Sequence, residues 1–298
     1  AVGVAVSPAE VHVGLFDAAG ELLETLRAVL TPAHTPDEVA NAIEITVRGL
    51  LAKRGVPEDG VVGIGVTVSG AISADGVVQL SSPMGWTDVP LRDLLQQRFA
   101  TAVHVYSTRV RVFSELRHGQ PTATRQLVWL NFADGVGATV AAQGQLLLGA
   151  THRAGELGHI IFEPDGPLCG CGHRGCLEAY ISESILCREL SQALQQPIAT
   201  LDEVGALNPA AEAVLAQAGR ALGLGLATIV NILCPPLVIL HGSLLRFAQQ
   251  IFPAMEDSLA TAALPSCRSR VEVRVSTFGA EAAALGAAAV PLGRVFLG

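Results

Sequence analysis

Gly158-His159 and, nine residues later, Cys169-Gly170-Cys171-Gly172-His173-Arg174-Gly175-Cys176-Leu177-Glu178 are the stretch on which the reading of this chain turns. Three of its six cysteines fall within eight residues, and a histidine sits one short loop upstream. Three thiolates and one imidazole form a complete tetrahedral set for a structural zinc, leaving no position for a catalytic water. The glycines between the cysteines let a tight loop wrap a small ion without Cβ clashes. A disulfide-bonded loop or a set of inert thiols fits less well. Ala1 to Val13 lacks the basic region and cleavage site of a secretory leader, and cytosolic thiols stay reduced. The spacing therefore assigns a structural Zn2+ to His159, Cys169, Cys171 and Cys176.

Working outward, 298 residues are too many for one small core and suit two lobes. Half the residues are hydrophobic and 15% are charged, so a large core is available. The net charge of −8 and the lack of any run of lysines or arginines argue against this piece of chain gripping nucleic acid itself, since phosphate neutralisation needs clustered cations. The most apolar long segment, Ala211 to Leu233, carries Glu212, Gln217, Arg220 and Asn231. It reads as a buried helix between lobes or subunits and not as a membrane span, so a cytoplasmic protein is expected. The chain begins with Ala1 instead of Met and enters an apolar strand at once, which implies an offset numbering or residues removed upstream.

Strands are expected at Val2–Val6, Val11–Phe16, Glu21–Leu30, Val61–Val68 and Val103–Tyr106, with helices at Pro36–Arg54, Leu91–Phe99 and Val110–Arg117. Asp37 and Glu38 suit the first turn of the long helix. The order then repeats: strands at Gln126–Phe132 and Gly137–Gln143, with Gln145–Leu148 extending the sheet, then the cysteine loop. Helices follow from Glu178 to Leu194 and from Ala211 to Leu233, then strands at Leu237–Leu240 and Val271–Val275 and a small-residue helix at Ala280–Ala289. Two successive hairpin-then-α/β blocks imply two similar lobes facing a cleft.

With the zinc motif placed, the chain resembles the ROK family (repressors, open reading frames and sugar kinases) along nearly its whole length. Ala154-Gly-Glu-Leu-Gly-His159 is similar to the family's A-G-E-x-G-H, and Cys169 to Glu178 to its C-x-C-G-x-x-G-C-x-E. Leu222 to Ala227, Asn231 and Pro235 to Gly242 resemble the segment lining the adenosine side. The resemblance implies an α/β, two-lobed, actin-like ATPase (ribonuclease H-like) fold, each lobe a mixed sheet flanked by helices. It places an N-terminal lobe at 1–107 plus about 286–298, and at 108–285 a C-terminal lobe with the zinc loop and dimerisation helices. It also implies that Glu156, His159 and Glu178 contact sugar hydroxyls. Carboxylates accept charge-assisted bonds from vicinal hydroxyls, and zinc on one nitrogen of His159 would aim the other.

The kinase parts depart from the family pattern. Its first phosphate loop reads D-x-G-G-T, whereas the matching residues here are Ala5-Val6-Ser7-Pro8-Ala9; the acid is gone and Pro8 has no N–H. Its second, G-T-G-x-G, is Ala133-Asp134-Gly135-Val136-Gly137, with Asp134 facing a polyphosphate. Counting back from Glu115 sets Tyr106-Ser107-Thr108-Arg109 on the catalytic N-D-A-N, so Ser107 replaces the general base. A serine without a base of its own cannot deprotonate a sugar alcohol near neutral pH. No cofactor is therefore expected at the former ATP positions Ser7, Pro8, Asp134, Gly135, Gly137 and Gly242. Within Ser81-Ser82-Pro83-Met84-Gly85-Trp86, Met84 stands where the family usually has a sugar-binding asparagine, while Trp86 reads as core and Tyr106 can still bond or stack on a sugar. Cys187, Cys234 and Cys267 lack ligand spacing and read as packed thiols.

The reading reached is the effector-binding and dimerising part of a ROK-type regulator. Its ligand is a sugar or sugar phosphate held by Glu156, His159, Glu178, Tyr106 and Ser107. DNA is contacted only through a helix-turn-helix upstream of Ala1, and the assembly is a homodimer or dimer of dimers. An ATP-dependent sugar kinase and a degenerate binding protein with a different ligand are the alternatives.

Overall fold

The computed structural model describes residues 1–31, 34–118, 126–132, 135–143, 145–150, 153–276, 278 and 281–293. Ala133, Asp134, Ala280 and residues 294–298, on which parts of the reading above fall, lie outside the described residues.

The first sheet grows from a hairpin. β1 (Val2–Val6) and β2 (Glu10–Phe16) run antiparallel, Val2 opposite Leu15 and Val6 opposite Val11, and β3 (Leu22–Val29) continues the meander. β1 then pairs in parallel with β4 (Ile64–Val68), and β4 with β8 (Val103–Ser107), giving the order β3-β2-β1-β4-β8. All five residues of β4 are buried, as its unbroken apolar run requires for a central parallel strand. The crossover to β4 is α1 (Pro36–Arg54). Thr35 and Glu38 close a capping box at its start, each side chain bonding the other's backbone N–H, and Val39, Ile43, Val47 and Leu50 form its buried stripe.

The same order recurs in the second sheet. β9 (Leu127–Phe132) is antiparallel to β10 (Val136–Ala142) and parallel to β12 (Leu237–Gly242), which is parallel to β13 (Glu272–Val275). With β11 (Gln145–Leu146) at the edge, the order is β11-β10-β9-β12-β13, the topology of the first sheet repeated.

Three features depart from the reading of the sequence. A small antiparallel sheet of β5 (Ala71–Ile72), β6 (Val78–Ser81) and β7 (Trp86–Val89) precedes α2 (Leu91–Gln96); strands of two to four residues are too short to show alternation. The helix expected over 178–194 is two, α4 (Glu178–Ile181) and α5 (Glu183–Leu194), broken at Ser182, whose backbone is extended at ψ 149°. After α6 (Pro209–Leu233), a further helix, α7 (Ala248–Ala262), forms although Pro253 lies inside it. Ile251, Met255 and Leu259, four residues apart, bury one face, and that outweighs the single backbone bond proline removes. The short α8 (Pro265–Arg268) and α9 (Glu281–Ala289) complete the set.

Contacts divide the chain into two compact units: 1–123 with 143–153 and 277–298, and 124–142 with 154–276. The lobe boundaries expected at 107/108 and 285/286 fall inside the first unit, because α9 packs on the helical turn Thr108–Arg111 and on α3 (Val112–His118). Each unit has its own core: β1, β2, β4 and α1 supply the first, β9, β10, β12 and α5 to α7 the second. α6 is long and apolar enough to cross a membrane by composition, but most of its apolar positions are buried in the second core.

Candidate metal centre and ligand site

Two hairpin-like contacts shape the cysteine loop. Ile161 bridges Cys176 and Leu168 bridges Arg174, while the Cys169 N–H donates to the His173 carbonyl at 2.8 Å. Upstream, Glu156 precedes the helical turn Leu157–His159, which lies on β10. Gly155 makes that approach possible: its φ is +94°, and a Cβ there would fall 1.9 Å from the Ala138 carbonyl oxygen, which no other residue tolerates.

The folded loops bring His159, Cys169, Cys171 and Cys176 together, their four donor atoms all within 4.8 Å of one another. The Cys171 and Cys176 sulfurs are 3.6 Å apart, and Cys169 Sγ lies 3.8 Å from His159 Nδ1. Tetrahedral zinc with bonds of about 2.3 Å to sulfur and 2.0–2.1 Å to nitrogen needs donor separations of about 3.6–3.8 Å. The donor set therefore fits the ion in chemistry, and the Cys171–Cys176 and Cys169–His159 separations match that span. All six cysteines are free thiols, so no disulfide competes for the cluster. Burial pushes the Cys176 thiol up to about 12 and raises that of Cys169, while the His173 backbone N–H and ring hold exposed Cys171 down at about 6. A bound cation reverses the penalty on the buried pair by deprotonating its ligands outright. His173, whose Nδ1 is 3.5 Å from Cys171 Sγ, is a supporting residue that spacing alone did not single out.

Glu178 opens α4 beside this centre. Its Oε2 accepts from the Val136 N–H at 2.9 Å, and its Oε1 lies 3.9 Å from Cys169 Sγ. The carboxylate thus joins the metal loop to the start of β10, at the residue between Gly135 and Gly137. Val136 acts through its backbone, so nothing in its side chain could have announced it. Glu156 and His159 are exposed; Glu178 is half-buried. Behind the loop the Tyr180 hydroxyl donates to Glu163 at 2.6 Å, and burial pushes that phenol up to about 12.

The remaining positions lie elsewhere. Tyr106 and Ser107 end β8 in the first unit, opposite Thr67 and Val68 of β4. Burial pushes the Tyr106 phenol up to about 12, so it stays a hydrogen-bond donor at neutral pH. Met84 and Trp86 belong to the first unit's core. Ser7, Pro8 and Ala9 form the tight turn between β1 and β2, and Gly242 ends β12 with φ at +138°. Cys187 is buried as expected; Cys234 is not, because α6 stops at it ahead of Pro235 and leaves it exposed, and Cys267 is half-buried.

The profile of the ROK family matches residues 1–293. This chain belongs to the ROK family. The ROK relatives include both repressors and sugar kinases. The xylose repressor of Bacillus spizizenii is 26% identical over 213 residues, covering 69% of this chain and 54% of that protein. The glucokinase of Thermotoga maritima is 29% identical over 235 residues, covering 72% of this chain and 74% of that protein. Among solved structures, the ROK hexokinase from Thermus thermophilus superposes with a TM-score of 0.79 at 28% identity, over 96% of each chain. The two repeated sheets are those of the actin-like sugar-kinase fold. The chain spans about half the length of the xylose repressors it matches.

Proposed function

We propose that this chain is the sugar-sensing and dimerising part of a cytoplasmic ROK transcriptional regulator and has no kinase activity. The observation that carries the reading is the turn between β1 and β2, where the resemblance puts the first phosphate loop. The Ser7 N–H donates to the Glu10 carbonyl at 3.0 Å, the Glu10 N–H donates to the Ser7 hydroxyl at 3.1 Å, and Pro8 has no N–H. Three of that turn's four backbone positions therefore have no N–H to offer a phosphate. The second loop supports the same reading, because Glu178 already takes the Val136 N–H. With Ser107 at the general-base position, nothing there removes a sugar proton.

A structural zinc on His159, Cys169, Cys171 and Cys176 would hold the loop that presents Glu156 and Glu178. Those two carboxylates and the His159 ring bind the hydroxyls of a sugar or sugar phosphate. DNA is reached through a helix-turn-helix outside this chain, carried by a homodimer. A sugar kinase is the second reading, favoured by the similarity to the Thermotoga glucokinase.

One pair of assays separates the two. A coupled ADP-release assay over hexoses, pentoses and N-acetylhexosamines should stay at background, whereas turnover of about 1 per second, ordinary for an enzyme, overturns the regulator reading. Calorimetry over the same panel should find a ligand whose affinity falls about ten- to hundredfold in Glu156→Ala, the worth of a charge-assisted bond of about 1.5–3 kcal/mol. Equal binding by both proteins removes Glu156 from the site, and no binding by either removes the sugar reading.

A further inference from the structure

Two arginines sit in the turn that leaves β8, in a chain whose net charge is −8. Arg109 and Arg111 stand two residues apart, and no aspartate or glutamate occurs between Asp93 and Glu115. β1, β4 and β8 run parallel, so Val6, Val68 and Ser107 end at one edge of the first sheet, and the helical turn Thr108–Arg111 follows at that edge. The carboxyl edge is where parallel sheets receive their ligands. The turn is firmly held. α9 packs on it so closely that a Cβ on Gly286 would fall 2.2 Å from the Val110 carbonyl oxygen and 3.0 Å from the Arg111 Cα. The Ser114 hydroxyl donates to the Arg111 carbonyl at 2.6 Å, and Val110, Val112 and Phe113 are buried. Arg109 has a partner of its own, and so has the buried Glu115. Arg111 differs. Among the described residues its guanidinium takes part in no hydrogen bond or ion pair, and its Nε is shut off from solvent.

An arginine that merely snorkels buries its methylenes and keeps the charged head in water. In Arg111 the burial reaches the head itself, at Nε. Burial lowers the pKa of the group, yet a guanidinium does not give up its proton near neutral pH. A charge taken out of water without a counter-charge is costly, and an anion that supplies one removes the cost. We propose that Arg111 anchors an oxyanion site on the first unit, which takes the phosphoryl group of a phosphate monoester or of free phosphate. The match is one of chemistry: a guanidinium only donates, phosphate oxygens only accept, and the planar fork meets two of them at once. Ser107 and Thr108, partly exposed in the same turn, bring further hydroxyl donors to that edge. The site lies within one unit and does not rest on the sugar contacts proposed for Glu156, His159 and Glu178.

The test uses the full chain. Thermal unfolding is followed as inorganic phosphate replaces chloride at constant ionic strength, so that general screening stays fixed. The wild-type melting temperature should climb with phosphate, as it does when a ligand binds the folded protein alone. Arg111→Met keeps a stem and removes the charge. Its melting temperature without phosphate should equal or exceed that of the wild type, and the climb should vanish. Arg111→Lys keeps the charge without the fork and should need about tenfold more phosphate for the same climb. Glucose 6-phosphate run beside phosphate identifies the source. A climb at lower concentration marks an organic phosphate, an equal one marks free phosphate, and in both cases it must be lost in Arg111→Met. Phenylglyoxal labelling mapped by mass spectrometry needs the wild type only: phosphate should slow labelling of Arg111 and leave the exposed Arg188 unchanged. A wild-type melting temperature that ignores phosphate, an equal climb in Arg111→Met, or labelling of Arg111 that phosphate does not slow overturns the proposal. The labelling decides the matter alone if the variants do not fold.

Discussion

Glu178 does two tasks with one carboxylate, and they can be separated. Its Oε2 satisfies the Val136 N–H, and its charge sits beside the metal loop. Glu178→Gln keeps an acceptor for Val136, so stability should change by less than about 0.5 kcal/mol while sugar affinity falls tenfold or more. Glu178→Ala leaves that N–H unpaired and should cost about 1–3 kcal/mol in urea unfolding as well. Equal stability of the two variants would mean that the Val136 bond contributes nothing. Cys171→Ser tests the centre itself. Metal analysis should find about one zinc per wild-type chain and far less in the variant, with a lower melting temperature. Wild-type protein purified without chelator and free of zinc would remove the metal. At this scale the sequence was most legible where chemistry is carried by side chains: four ligands of two types at fixed spacing were enough to name a cluster that the fold closes to within 4.8 Å. It was least legible where the backbone acts, as at Val136, or where a helix end decides exposure, as at Cys234.

Among the elements, α6 and α7 show what a pattern can hide. Their crossing is close because Gly223 faces the Met255 carbonyl oxygen, which a Cβ would meet at 2.3 Å. Gly223→Ala should therefore destabilise by about 1–3 kcal/mol, although alanine favours helix. Leu224→Ala, on the exposed side, should change stability by less than about 0.5 kcal/mol. If Gly223→Ala is neutral in denaturant titrations, the helices are not packed this tightly. A long buried apolar helix at α6 was read from the sequence, but its partner was not, since Pro253 masks α7 as a helix. The start of α1 at Pro36 was legible because Asp37 and Glu38 suit a first helical turn, whereas the box that Thr35 closes with Glu38 came with the structure. The Thr35 backbone N–H holds the Glu38 carboxyl below the usual carboxylate range. Its stabilisation is complete above the unfolded value of about 4.3 and disappears as the pH falls through the lowered folded value. Glu38→Gln should flatten that part of the acid-unfolding curve; an unchanged slope would show that the box contributes no pH dependence.

At the scale of the molecule, a repeated topology over two separate cores has a measurable consequence. The His/Cys cluster belongs to one core only: Cys169, Cys176, Leu177 and Tyr180 pack with β9, β10 and α6, and none of them enters the core of the first unit. The chain has two tryptophans, and they fall one to each unit, Trp86 in β7 and Trp129 in β9. Both are buried, so each reports the opening of its own surroundings. Stripping the proposed zinc would leave three thiols and a histidine with no common partner, and the binding energy lost would be folding energy of the unit that holds them. Unfolding followed in Trp86→Phe, where Trp129 reports, should shift to lower denaturant on chelation. In Trp129→Phe, where Trp86 reports, the shift should be smaller, and re-adding zinc should restore the first transition. Equal shifts in the two variants would mean that the chain unfolds as one cooperative body, the metal stabilising both halves alike. A shift confined to the Trp129 transition places the zinc loop where the two-core arrangement requires it, with the first unit standing on the apolar packing of α1 against its own sheet.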